Sequence, residues 1–134
     1  MRRNTQMPLL AGLGLLLSLT LPAFPQGGVF GDARGLVSRV QEDLRLADGL
    51  LQRTHKQKER YDKEKERLDN AQRHLSELDR ELAKNNFDKG KLDAAIDDVK
   101  NVAEHNTLSP ETRDALATDL RDLREMRATR GALP

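Results

Sequence analysis

The sequence predicts an all-α protein, and three observations carry that prediction. From Leu36 to Arg130 the only strong helix breakers are Gly49, Gly90 and Pro110. Through the same stretch Leu, Ile, Val and Ala recur at three-four spacing, the period of one helix face. Strand-favouring residues are scarce, with three Phe, one Tyr and no Trp among 134 residues, and nothing alternates with period two. The expected architecture is one long, charged, coiled-coil-like helix followed by two shorter helices that form a small antiparallel bundle.

The first element reads as a leader. Arg2 and Arg3 form a basic head, Leu9 to Leu21 is an uncharged run, and Pro22, Ala23 and Pro25 break it ahead of Gly27-Gly28. A basic head, an apolar stretch of roughly a dozen residues and small residues near a cut site describe a secretory signal peptide. The run is too short for a comfortable membrane span, which takes about 20 apolar residues. Residues 1–23 are therefore expected to be cleaved, with the cut after Ala23 or elsewhere within 23–28, leaving no transmembrane anchor. The short basic head looks bacterial, so the expected destination is the periplasm or the exterior. Removing 23 residues, Arg2 and Arg3 among them, leaves about 111 with a net charge of about −1. Charged residues are then about 39% of the chain, against about 25% ordinarily. The signs are interleaved, so the mature chain can fold, although its core is thin.

Residues 24–34 are glycine-rich and read as a flexible arm. The helical domain is expected over 35–130, opening with a helix over 35–84. Val37, Val40, Leu44, Ala47 and Leu51 share one face. The apolar content collapses over Arg53 to Arg67 and returns with Leu68, Ala71, Leu75, Leu78 and Leu82. No Gly or Pro interrupts Leu50 to Arg67, and Glu59–Lys63 is a favourable i,i+4 pair. A straight helix of that span is roughly 75 Å long. The alternative is a hairpin bent within Thr54–Tyr61, since helices over about 25 residues are unusual outside coiled coils.

Asn85-Asn86 is a plausible cap, and Asp88 an N-cap for a helix over 89–105 with Leu92, Ala95, Ile96, Val99, Val102 and Ala103 on its stripe. Ser109-Pro110-Glu111 places a hydroxyl at the N-cap, proline at N1 and an acid in the first turn of a helix over 110–129. Leu116, Leu120, Leu123 and Met126 form its face. Short connections make residues 68–84, 89–105 and 110–129 an antiparallel three-helix unit, with Phe87 plugging one end. The first half of the long helix then projects beyond that unit. Its stripe of Leu36, Val37, Val40, Leu44 and Leu51 is left without a partner inside the chain. That stripe is the candidate interaction surface, for self-association or for a protein partner. A hairpin that folds back would cover it and remove the inference.

The chemistry the chain lacks is as informative. With no Cys it has no disulfide, thiolate metal site or thiol nucleophile. A net charge of +1 argues against nucleic acid as a partner. His55, His74 and His105 make no HxxxH or HExxH pair, and Gln52, Ala71 and Val102 stand where a helical di-iron site needs carboxylates. A calcium loop begun at Asp88 would have Gly90 in place of an oxygen ligand and Val99 in place of the closing Glu. Asp97-Asp98 and Asp119/Asp122 read as parts of a solvated helix face. No metal, cofactor or catalytic residue is expected, and the chain is read as a non-enzyme.

Leu108-Ser109-Pro110-Glu111-Thr112, opening a Leu/Arg-rich helix, resembles the LTxxQ-type motif of small periplasmic helical chaperones and metal-stress adaptors, the Spy and CpxP group. It departs from that motif at Thr112, where the group has Gln, and the likeness covers about 20 residues. The expected function is an exported, non-enzymatic structural or protein-interaction role through helical faces. The resemblance implies the alternative of a periplasmic chaperone or stress adaptor. The seven Lys/Arg against four Asp/Glu of Arg53 to Arg67 suggest a further one, binding to an anionic envelope surface.

Overall fold

A computed structural model describes residues 28–54 and 57–132 of the chain. The expected leader lies outside the described residues, as do the cleavage range up to residue 27 and His55. Among the described residues there is no strand, and no helix is long and apolar enough to cross a membrane.

A 3-10 turn over Gly28–Phe30 leads into α1, Gly31–Thr54, followed by α2, Lys58–Ala83, α3, Lys89–His105, and α4, Pro110–Thr129. The starts of α3 and α4 have a local cause. Asp88 caps α3, its Oδ1 accepting the Lys91 N–H at 3.0 Å. Ser109 caps α4 in the same way, its Oγ accepting the Thr112 N–H at 3.2 Å, with Pro110 in the first turn. The end of α2 is a Schellman turn. Asn85 is left-handed (φ 60°), its N–H bonds the Leu82 carbonyl and the Asn86 N–H reaches back to the Glu81 carbonyl, both at 2.9 Å.

The direction of each helix follows from the pairs that cross between neighbours. On α1 and α2, Arg34 meets Asp79, Gln41 meets Ser76 and Asp48 meets Lys65, so the two run antiparallel. His74–Asp98 and Arg67–Asn106 give the same sense to α2 and α3, as Asp93–Arg127 and the Ala103 carbonyl with Arg113 do to α3 and α4. The fourth seam joins α4 to α1, while α1 and α3 lie across the diagonal. The result is a ring of four helices in up-down-up-down order around a single core of Leu, Val, Ala, Ile and Met.

This corrects the expected helix over 35–84. Two helices stand there, separated around Gln57, whose backbone is extended (φ −125°, ψ 123°). The energetic reason is the Leu36–Leu51 stripe. Burying each of its five aliphatic side chains is worth about 1.5–3 kcal/mol. Bending the chain forfeits only a few helical hydrogen bonds, worth about 1 kcal/mol net apiece. A charged segment whose one sizeable apolar side chain is Tyr61 offered little to hold a projecting helix straight, so the fold back wins. Gly49, read as a breaker, sits inside α1.

The expected arm over 24–34 is corrected in its described part. Helix α1 begins at Gly31, and Ala33 is fully buried. Phe30 packs against the core and meets the Phe87 ring edge-on, centroids 6.3 Å apart. Arg130, ending α4, lies 5.5 Å from the centre of that ring. Next to it Gly131 has φ 91°, and a Cβ there would stand 2.7 Å from the Phe30 ring, so only glycine fits. Phe30 and Phe87 thus close the end of the bundle together, where the sequence suggested Phe87 alone.

Candidate functional site

The expected interaction stripe lies in the interior. Val37, Val40 and Leu44 have no exposed surface, Leu51 retains 4% and Leu36 6%. It is core rather than a docking face, and the partner surface inferred from it is withdrawn. Among the described residues the large apolar side chains classed as exposed are Val29 and Leu46.

What stands out instead is polar and lies at the α1–α4 seam. Arg39 and Asp43, one turn apart on α1, face Asp119 and Asp122 on α4. Arg39 donates from Nε to Asp119 Oδ1 at 3.0 Å and from Nη2 to Asp122 Oδ2 at 2.8 Å. The Asp119 side chain is only 1% exposed, and its Oδ2 has no donor. Burial, followed by the facing Asp43 carboxyl, pushes the Asp119 acid up to about 7, with Arg39 pulling the other way. Asp122, bonded to Arg39 and then to Arg121, is held below the ordinary carboxylate range. Three carboxyls and a guanidinium therefore meet at one seam, and of the four only Asp119 is fully withdrawn from solvent. Beside this cluster a cleft of about 450 Å³ opens between the start of α1 and the end of α4. Its α1 wall is Gly31, Gly35 and Leu36, and Asp32 and Glu125 stand at its rim.

A second polar assembly locks the corner where the α3–α4 connection crosses α2. Glu64 is 4% exposed. Its Oε1 accepts the Thr107 N–H, and its backbone carbonyl accepts Asn106 Nδ2 at 3.1 Å. Arg67 donates to Asn106 Oδ1 at 3.2 Å and Arg60 to Thr107 Oγ1 at 2.6 Å. Arg60, Glu64 and Arg67 line a polar cavity of about 400 Å³ together with Gln57, Glu59, Lys63 and His105.

The two described histidines, His74 and His105, take structural places. His74 is half-buried and joins Asp98 of α3 through Nδ1. His105 is exposed at the end of α3, 4.0 Å from Glu104. Among the described residues no three His, Cys, Asp or Glu side chains are grouped so as to hold a metal ion.

Asp119, expected on a solvated face, and Glu64 are both buried, and the sequence carries a signal for each. Asp119 lies three residues after Leu116 and four before Leu123, inside the apolar stripe of α4. Glu64 lies four before Leu68 and seven before Ala71, in the same position on α2. A charged residue on a core-facing register is buried once the helix packs, and it then demands a partner. Comparison with known family models, with curated proteins and with solved structures finds no match, so the functional reading rests on this chain's own residues.

Proposed function

We propose that the chain is an exported, non-enzymatic interaction module: a self-contained four-helix bundle that meets partners through its charged exterior. The observation that carries this reading is the burial of the Leu36–Leu51 stripe, which leaves the apolar faces of all four helices spent on one another. Recognition then falls to interleaved Lys, Arg, Asp and Glu on the outside, which favour specific, salt-sensitive contacts over broad apolar capture. The leader-like pattern of residues 2–28 supports export. The Leu108–Thr112 likeness to helical chaperones adds little, because Ser109 and Pro110 are accounted for by capping α4.

Three measurements test the proposal. Cell fractionation with N-terminal sequencing should find a mature chain beginning between residues 24 and 29 outside the cytoplasm. Size-exclusion chromatography with light scattering should give a monomer at all accessible concentrations. An aggregation assay with a model client should show no protection. A cytoplasmic, uncut chain removes the export half of the reading, and an obligate dimer removes its self-contained bundle. Stoichiometric suppression of client aggregation replaces it with a chaperone.

A further inference from the structure

We propose that the buried Asp119 carboxyl and the half-buried Asp43 that faces it, beside Arg39 in the α1–α4 seam, form a proton-operated latch. While the pair shares a proton the seam stays closed, and full ionisation loosens α1 from α4.

The geometry carries the argument. Asp119 is almost wholly withdrawn from solvent, so water cannot spread its charge. One oxygen takes the Arg39 Nε–H at 3.0 Å, while the other is buried and meets no donor. The group facing it from α1 is a second carboxyl, Asp43, which supplies a donor only when one of the two acids is protonated. Arg39 gives Asp119 one bond only, its Nη2 turning to Asp122 at 2.8 Å. Three carboxylates and one guanidinium thus meet in the seam, with a formal charge of −2 when all are ionised and −1 with one shared proton.

The neighbouring elements bring no relief. Helix α3, the other helix packed on α4, meets it through Asp93–Arg127 and through Arg113 on the Ala103 carbonyl. Helix α2 meets α1 through Arg34–Asp79, Gln41–Ser76 and Lys65–Asp48. On α4 itself Arg121 is turned to Asp122 at 3.1 Å.

The sign follows from linkage. The closed seam binds the Asp119 proton up to about 7, whereas an unfolded-chain aspartate releases it near 3.9. The closed state therefore holds a proton that the open state has lost. Stability of the seam is full on the acid side, falls as pH rises from about 4 to about 7, and is flat above that. For a seam that opens to water, the opening equilibrium rises roughly a hundredfold between pH 5 and pH 8. This device goes beyond the interaction role and depends neither on export nor on any partner.

The test compares the full chain with Asp119→Asn, which keeps its shape, accepts from Arg39 through its carbonyl and donates an amide N–H to Asp43 at every pH. Amide exchange and urea midpoints are measured at intervals from pH 5 to pH 8. In the wild type, opening at α1 and α4 should rise by up to a hundredfold relative to the variant, ahead of α2 and α3, while D119N shows no such rise. Asp43→Asn, whose amide donates to Asp119, leaves that acid buried and should shrink the rise without abolishing it; it serves if D119N fails to fold. His74 and His105 are present in all three proteins and cancel in the comparison. Equal pH slopes in the wild type and the variants would overturn the latch. So would a wild type that grows more stable toward pH 8, or protection lost equally from all four helices.

Discussion

Replacing Leu44 by alanine separates the hairpin fold from the straight helix that composition suggests. Leu44 sits in the middle of α1 with no exposed surface, within the single core cluster. Truncating a leucine at such a site removes its transfer free energy and leaves a cavity, at a cost of about 2–5 kcal/mol. Aliphatic neighbours on its own helix, Val40, Ala47 and Leu51, are short or distant enough that collapse into the gap is incomplete, so about 3 kcal/mol is the expected loss. Against a typical total of 5–15 kcal/mol this is a large fraction. The assay is urea unfolding followed by far-ultraviolet circular dichroism at several protein concentrations spanning two decades. The midpoint of L44A should fall by more than 1 M while the slope stays near that of the wild type. Neither midpoint should move with concentration, because the partners of Leu44 are in the same chain. Midpoints that climb with concentration would place the stripe between copies and refute the hairpin. A variant within about 0.5 kcal/mol of the wild type would place Leu44 on the surface, with the same consequence.

Spin labels at the exposed positions Ser38 and Arg80 should report a separation of about 15–30 Å, set by an interaxial distance of 8–10 Å plus the label arms; a straight helix would hold them about 63 Å apart. Ser109→Ala removes the only side chain seen to cap α4 and should cost about 1 kcal/mol in thermal or urea unfolding; an unchanged midpoint would mean that proline alone fixes the helix start. Glu64→Gln keeps an acceptor for the Thr107 N–H and should cost under about 1 kcal/mol, whereas Glu64→Ala orphans that donor and should cost about 2–3 kcal/mol. If the two variants unfold at the same urea concentration, the corner is held by charge rather than by its hydrogen bonds.

Much of this fold is legible in the sequence, and what is missed has a physical cause. The boundaries of α3 and α4 are visible because Asp88, Ser109 and Pro110 act locally, through hydrogen bonds and a fixed φ within one turn. The α1–α2 bend carries no such mark. Arg53 to Arg67 contains no Gly or Pro, and the bend is decided by what two distant aliphatic stripes gain on meeting, a tertiary quantity absent from any local window. The same holds for the interaction stripe: its residues are identified correctly as one apolar face, while the identity of what covers it depends on the bend. The Arg39–Asp119 site is harder again. Asp119 betrays itself by lying within a leucine register, but its pairing with Arg39 across eighty positions follows only from the ring order of the helices.

The polar pairs also bear on why this bundle has one register. Aliphatic stripes of similar width can pack against one another in several offsets, since apolar burial is proportional to area and has no direction. A shift of one turn at the α1–α4 seam would cost little in buried leucine surface. It would, however, carry the buried Asp119 carboxyl away from Arg39, its only cationic partner among the described residues, and stranding a buried charge is strongly destabilising. Glu64 constrains the opposite corner in the same way, because only one offset of α2 meets the Thr107 N–H. His74–Asp98 and Arg34–Asp79 repeat the constraint at the α2–α3 and α1–α2 seams. The leucines thus supply the driving force for collapse, and a handful of charges that look ill placed on core-facing positions select one arrangement from the many that collapse alone would permit.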